Sequence, residues 1–196
     1  YDRILHVGME PDEVARWAGA KSVLAQSGEP LWIQATATRD ETPGALQWQR
    51  DRACSHGPAA RRIFSMLYPL QHQMAWDAPE RATALGGVYH GQPWNTPDRL
   101  LMTLRYHGGA TVVLECVDSP RGPSLVRGLH GPFELPPVTG SQNLADDLIG
   151  FTAAIAGDRE ESRARLRAAC IAQEAVCSAM DQWSRWSPVE TGRLVG

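Results

Sequence analysis

Alternation of large apolar residues with other residues over positions 99–117 constrains the fold most strongly. The first run is followed by His107-Gly108-Gly109, and residues 111–117 then form the second run. The apolar positions of the first run are Leu100, Met102, Leu104 and Tyr106. A period of two is typical of a β-strand, and two such runs around a glycine-containing turn predict a hairpin.

The intervening positions of this hairpin are also apolar in places. Leu101, Val113 and Val117 lie opposite the Leu100 set. A sheet that is apolar on both faces needs a cover on each of them. We therefore expect helices on one face and another domain or subunit on the far side.

The remaining patterns place helices before, between and after the strands. Pro11 begins a predicted helix that runs to Ser27, with acids in its first turn and Gly28 at its end. Further strands are predicted at 3–8, 31–38, 81–89, 124–128 and 131–135, and further helices at 143–156 and 161–183. This order predicts an α+β fold, a large and mostly antiparallel sheet with helices packed on one face, in one domain that spans residues 1–196.

Composition and charge exclude several classes of function. The chain has 196 residues, of which 43% are hydrophobic and 21% charged, as expected of one globular domain. Its net charge of -3 gives no electrostatic reason to expect nucleic acid or an anionic membrane as a partner. No apolar run approaches the length of a membrane span, and no signal peptide is recognisable.

The cysteines indicate a reducing compartment. Cys54, Cys116, Cys170 and Cys177 form no CxxC pair, and no histidine stands at zinc-ligand spacing. Cys170 and Cys177 are two helical turns apart, too far for a disulfide. We expect four reduced and mostly buried thiols in a cytoplasmic protein without a metal site.

The candidate catalytic residues lie in the stretch 61–84. It predicts a helix that is entered through Gly57-Pro58, broken or bent at Pro69, and closed by Pro79 before a strand. Tyr68 and His72 are four residues apart and so are neighbours on one helical face. Both side chains can move protons, so their function depends on whether they line a cavity or fill a core.

Four stretches of the chain together resemble a known family. They are RILHVG with PDEVARWAGAKSVLAQSGEPLW, then YPLQHQMAWDAPERATA, then the hairpin DRLLMTLRYHGGATVVLECV, and finally NLADDLIGFTAAIAGDREESRARLRAACIAQEAVCSAMDQWSRWSPVE. In this order they are similar to the C-terminal domain of the Gfo/Idh/MocA oxidoreductases, the glucose–fructose oxidoreductase and inositol dehydrogenase family. The likeness covers nearly the whole chain.

The resemblance implies a partner domain and a cofactor. A complete member of the family has an N-terminal Rossmann domain that binds NAD or NADP, and this domain would lie upstream of Tyr1. Residues 1–8 would then be a remnant of the strand that crosses from it. No GxGxxG occurs here, so the chain is expected to supply only the substrate side of the site. The family also implies a homo-oligomer that associates through the sheet face.

The family's usual catalytic pair is an Asp and a His four residues later, and this sequence departs from that pair. Alignment on Trp76 and Pro79 puts Tyr68 at or next to the His position and Phe64 or Ser65 at the Asp position. Some sugar ketoreductases of the family use a tyrosine in place of that histidine as proton donor. The resemblance therefore implies that Tyr68 is the general acid.

A second alignment register is possible. It puts His72 at the His position and Tyr68 at the Asp position, but it misplaces Trp76 and Pro79. A tyrosine with its ordinary pKa near 10 needs a positive charge close by to act at neutral pH, and Arg61 and Arg62 precede it on the helix. Arg39 and Trp48 lie in a stretch that would border the cavity by family analogy, so both are candidate substrate-binding residues.

Two hypotheses follow. In the first, the chain is the substrate-binding and oligomerisation part of an NAD(P)-dependent oxidoreductase that acts on a sugar, a cyclitol or a related hydroxy or keto compound. In the second, it is a non-catalytic or repurposed relative, a binding or scaffold protein that lacks the usual Asp/His pair. If Tyr68 has no catalytic role, it is a packed residue whose hydroxyl donates a hydrogen bond to a backbone carbonyl.

Overall fold

The computed structural model describes residues 5–9, 11–38, 56–87, 96–117, 124–135, 144–157 and 159–186. Its elements in chain order are α1 (Pro11–Ser27), β1 (Pro30–Thr38), α2 (Pro58–Met74), β2 (Arg81–Gly87), β3 (Arg99–Arg105), β4 (Thr111–Val117), β5 (Leu125–Gly128), β6 (Gly131–Glu134), α3 (Leu144–Ile155) and α4 (Glu160–Trp186).

The six described strands form one sheet in the order β2-β3-β4-β1-β5-β6. Only the β1–β4 pair is parallel, and the other neighbours are antiparallel. The alternation seen in the sequence sets the register, because Met102 pairs with Leu114 and Leu104 with Val112. Ile33 on β1 pairs with the same Val112, so the large residues of three strands share one face.

Helices α2 and α4 lie on this buried face, and α1 packs on α2 and on the β5–β6 end of the sheet. The residues of α2 that carry the packing are all fully buried: Ile63, Met66, Leu67 and Leu70. They recur at the spacing of one helical face, which fixes the rotation of α2 about its axis. The α+β class and the helices on one face of a mostly antiparallel sheet are thus confirmed.

Helix α2 differs from the prediction at its second proline. Pro58 occupies the first turn, where a missing N–H costs nothing, but Pro69 lies inside a helix that continues to Met74. Of the two predicted alternatives at Pro69, the break is therefore wrong, and the bend stays a prediction. The helix ends instead at Ala75, whose left-handed φ of 50° lets its N–H bond the Gln71 carbonyl at 3.0 Å.

Residues 5–9 correct another prediction, since they form no strand. The Val7 carbonyl accepts a side-chain hydrogen bond from Tyr68 rather than a bond of a β-ladder. An apolar alternation needs a neighbouring strand to become part of a sheet, and the described sheet offers none at this place.

The thiols are less buried than the sequence suggested. Cys116 is buried, but Cys170 is exposed and Cys177 is half-buried; none of these three forms a disulfide. Cys54 lies outside the described residues. Within the described part of the chain, no helix combines the length and apolarity that crossing a bilayer requires.

The second face of the sheet is not covered by any described helix. Leu85 is 70% exposed there, and Leu101, Val113 and Val117 are half-exposed beside it. Glu115 shares this face, which is therefore mixed in polarity. We call it the open face.

Candidate functional site

The outward surface of α2 brings three of the predicted site residues together. Arg61, Tyr68 and His72 lie on the side of the helix that faces away from the sheet, because the large residues between them are packed against it. Arg61 is exposed, whereas Tyr68 is only 2% exposed. Phe64 stacks on the Tyr68 ring with their centroids 5.8 Å apart.

The hydroxyl of Tyr68 donates a hydrogen bond to the Val7 carbonyl oxygen at 2.8 Å. Residues 5–9 therefore lie across the outward surface of α2 and cover this phenol. A phenol in this setting is neutral and is a donor, which is the protonation state that a general acid needs. The same contact is also what a packed tyrosine makes, so the role of Tyr68 stays a prediction.

A polar network fastens residues 5–9 to α4. His6 Nδ1 lies 3.0 Å from the Ser162 hydroxyl, and its Nε2 lies 3.3 Å from Nη1 of Arg165. Arg165 donates from Nε to the Glu161 carboxylate at 2.7 Å, and His72 Nε2 is 3.3 Å from the same oxygen. The His6 ring thus contacts two polar side chains of α4, one through each of its nitrogens.

Glu161 is ionised within this network. Its partial burial raises the pKa of the carboxyl, but the hydrogen bond from Arg165 and the charges of His72 and Arg165 lower it more. The pKa of Glu161 therefore lies below its ordinary value. The carboxylate holds one nitrogen of His72 and leaves the other free.

That second nitrogen is the least satisfied polar atom of the cluster. His72 Nδ1 is buried and has no hydrogen-bond partner among the described residues, and 15% of the side chain is exposed. A buried ring nitrogen without a partner costs stability, and such groups are often reserved for a ligand. It lies one turn from Tyr68, so the two side chains offer a donor and a further polar atom side by side.

Arg62 contacts α1 rather than the outward surface of α2. Its Nη2 lies 2.9 Å from Oε1 of Glu13, which is fully buried, and its Nη1 donates to the Ser65 hydroxyl at 3.3 Å. Arg16 approaches the other oxygen of Glu13 at 3.2 Å. Arg62 therefore ties α2 to α1, and a role for it in substrate binding stays a prediction. Arg39 and Trp48 lie outside the described residues.

A second polar contact at the end of α2 had no signal in the sequence. The Tyr106 hydroxyl donates to Gln71 Oε1 at 2.9 Å, and Gln71 Nε2 donates to the Trp76 carbonyl. The Trp76 and Tyr106 rings are 4.6 Å apart. Burial raises the pKa of Tyr106 above its ordinary value, so this hydroxyl stays neutral and closes the end of the helix.

Two surface cavities lie away from these side chains. One, of about 300 Å³, opens at the sheet beside Leu85, Arg99 and Glu115. The other, of about 350 Å³, lies along α4 beside Glu174, Cys177 and Asp181. Among the described residues, no group of three His, Cys, Asp or Glu side chains is placed to hold a metal ion.

The glycine at the start of α2 does not form an open turn for a dinucleotide. Helix α2 begins directly after Gly57. A Cβ added to Gly57 would come within 2.4 Å of the Thr96 side chain. The space above this glycine is therefore filled, whereas a pyrophosphate needs open backbone N–H groups at such a turn. No chemical step at this site is assigned to a nucleotide held by these residues.

Comparison with known proteins supports the fold. Neither protein-family models nor curated proteins match the sequence. Among solved structures, an oxidoreductase from Thermotoga maritima matches with a TM-score of 0.64 and 13% identity over 87% of this chain and 60% of its own. An aldose–aldose oxidoreductase from Caulobacter crescentus matches with a TM-score of 0.63 and 15% identity over 92% of this chain and 63% of its own.

A UDP-N-acetylglucosamine 3-dehydrogenase from Acidithiobacillus ferrooxidans has a TM-score of 0.57 and 14% identity over 86% of this chain and 61% of its own. Likeness at such identities is a likeness of fold. The resemblance to the C-terminal domain of the Gfo/Idh/MocA oxidoreductases is confirmed in that sense. The chain spans less than two thirds of the length of each of these structures.

Proposed function

We propose that the chain forms the substrate-binding and oligomerisation part of an NAD(P)-dependent oxidoreductase that acts on a sugar, a cyclitol or a related hydroxy or keto compound. The observation that carries the proposal is the fold, which is shared over 86–92% of the chain with the three oxidoreductases named above. Two of them act on sugars or sugar nucleotides by their names.

The nucleotide, NAD or NADP, is held outside the described residues in this proposal. The packing of Thr96 against Gly57 supports this assignment, because it leaves no open glycine turn at the start of α2. The nucleotide-binding domain is then part of the same polypeptide or of a partner. In this proposal the chain contributes the groups that contact the substrate.

Tyr68 is the proton donor to the substrate oxygen in this proposal. Its hydroxyl now donates to the Val7 carbonyl, so a substrate oxygen has to take the place of that carbonyl. Displacement of residues 5–9 from α2 would allow this exchange. His72 Nδ1 and the exposed Arg61 are the neighbouring groups that would hold the substrate, and Arg39 and Trp48 would complete its cavity.

The open face is the site of self-association in this proposal. Leu85 at 70% exposure, with Leu101 and Val113 beside it, gives a second copy an apolar centre. The thiols of Cys116 and Cys170, neither of which is in a disulfide, support a reducing, cytoplasmic location. The non-catalytic alternative draws no support from the comparisons, since the three structures named above are oxidoreductases.

The proposal is tested with the complete gene product that contains these residues. It is assayed with NAD⁺ and NADP⁺ against a panel of sugars and cyclitols, by the absorbance of the reduced nicotinamide. Tyr68→Phe is expected to lower kcat by about 10²–10⁴-fold, the usual contribution of a general acid. Tyr106→Phe is the matched control, because it also removes one buried hydroxyl that donates a hydrogen bond.

Turnover that falls only in Tyr68→Phe supports the proposal. Equal turnover in the two variants removes Tyr68 from the mechanism. Absence of hydride transfer with either nucleotide across the whole panel would favour the non-catalytic alternative.

A further inference from the structure

A row of arginines crosses one end of the open face. Arg81 on β2 pairs directly with Arg105 on β3, and Arg105 pairs with Thr111 on β4. The row continues over β1 and β5, because Thr111 pairs with Trp32 and Trp32 with Arg127. Side chains that are directly opposite in a sheet project from the same face, so all five share the open face. We call these five residues the arginine row.

The positive charge of this row is not compensated within the described part of the chain. All three arginines are exposed, and none of them forms an ion pair with a described carboxylate. Glu80, which precedes Arg81, contacts His107 instead, at 2.8 Å. The acids of the open face lie opposite leucines in other registers: Glu115 and Glu134.

The pair of Arg81 and Arg105 costs stability as it stands. Like charges directly opposite each other destabilise an antiparallel pair of strands. Proteins break such local rules mainly at functional sites. Two guanidinium groups on strands about 5 Å apart suit a phosphate group, whose oxygens accept hydrogen bonds from both forks at once.

The other half of the row is flat and partly aromatic. Cζ of Arg127 lies 4.9 Å from the centroid of the Trp32 ring, and the indole is half-exposed. Nucleobases stack on aromatic rings and on guanidinium planes. Trp32 is two strands away from Arg105, about 10 Å. A nucleoside diphosphate spans about this distance between its base and its terminal phosphate.

We propose that the arginine row binds a free nucleoside diphosphate, with a phosphate between Arg81 and Arg105 and the base on the platform of Trp32 and Arg127. The row lies on the face of the sheet opposite α2, so this site is separate from Tyr68 and goes beyond the proposed function. Leu85, the centre of the proposed self-association surface, is four residues from Arg81 along β2, about 13 Å.

The charge of the whole chain favours a small ligand over a nucleic acid. The net charge is -3, so a long polyanion that reached beyond the row would be repelled. A diphosphate contacts the positive row alone. Its affinity is expected to fall as ionic strength rises, because exposed charges are screened by salt.

The test is calorimetric titration of the complete gene product with ADP as the probe, and with adenosine and inorganic phosphate as its two halves. ADP is expected to bind more tightly than either half. Arg105→Gln and Trp32→Leu are each expected to weaken ADP binding about tenfold or more. Arg163→Gln is the matched control, because Arg163 is an exposed arginine on α4, and it is expected to leave the affinity unchanged.

ADP binding of equal strength in the unaltered protein and in Arg105→Gln places the nucleotide elsewhere and overturns the proposal. Equal affinity for ADP and inorganic phosphate overturns the assignment of the base to Trp32. Tighter binding of a single-stranded oligonucleotide than of ADP overturns the choice of a free nucleotide.

Thermal unfolding of the same variants separates binding from a role in folding. Without ligand, Arg105→Gln is expected to keep or raise Tm, because it removes a like-charge pair. ADP is expected to raise the Tm of the unaltered protein but not that of Arg105→Gln. A lower Tm of unliganded Arg105→Gln would show that the row stabilises the sheet by itself and would overturn the premise.

Discussion

The buried carboxylate of Glu13 offers the sharpest test of how the helices are held together. It is fully buried between Arg16 and Arg62, each only 5% exposed, at 3.2 Å and 2.9 Å. Glu13→Gln keeps the shape of the side chain but removes the charge that both guanidinium groups contact. Removal of one partner from a buried ion pair costs about 3–5 kcal/mol, because a desolvated charge loses its compensation.

That cost is large for a chain of this size. Folded domains are stable by about 5–15 kcal/mol in total, so Glu13→Gln is expected to remove roughly a fifth of this or more. Each kcal/mol corresponds to about 2–4 °C in a domain of this length, which gives a fall in Tm of roughly 6–20 °C. The free energy of unfolding is measured by urea denaturation with tryptophan fluorescence, and Tm by calorimetry.

Glu174→Gln is the control, since Glu174 is an exposed acid on α4 and such substitutions change stability by about 0.5 kcal/mol or less. A Glu13→Gln protein with an unchanged denaturation midpoint would refute the reasoning about the buried pair.

Arg62→Met separates the two roles considered for Arg62. A rise in KM with unchanged stability would assign it to the substrate, and a fall in stability with unchanged KM to the α1–α2 contact.

Three further predictions concern single contacts. Gly128→Ala places a Cβ 2.2 Å from the Ser27 carbonyl oxygen, a backbone atom, so it is expected to cost about 1–3 kcal/mol in urea denaturation. Tyr106→Phe leaves the buried Gln71 Oε1 without its donor and is expected to cost about 1–3 kcal/mol by the same assay. Glu161 has a lowered pKa in the folded state, so its contribution to stability is present above the unfolded pKa and is lost as pH falls through the folded pKa. Glu161→Gln is therefore expected to flatten the acid side of the Tm–pH profile, whereas an unchanged acid slope would contradict the assignment.

The sheet was predictable because its information is local. Alternation over residues 99–117 and the glycines at its turn specify a hairpin without reference to the rest of the chain. Pro69 shows the limit of such reasoning. A proline lowers local helix propensity, but the packing of Met66 and Leu70 on both sides of it keeps the helix intact.

The contacts around the candidate site had no local signal. The sequence placed Tyr68 and His72 on one helical face, because that requires only a helical period. The partners of these residues come from distant positions: Val7 for Tyr68 and Glu161 for His72. Nothing in the spacing of residues 61–84 marks which distant side chains will meet it, so the network at His6 and the ion pair at Glu13 emerge only from the fold.

Residues 5–9 decide whether the Tyr68 hydroxyl can reach a substrate in the proposed function. Their Val7 carbonyl accepts the hydrogen bond of the Tyr68 hydroxyl, while the His6 ring contacts Ser162 and Arg165 of α4. Because the described residues 5–9 form no strand, no β-ladder hydrogen bonds have to break when they are displaced. Exposure of the phenol to a substrate therefore requires the loss of the Val7 contact and of the attachment of His6 to α4.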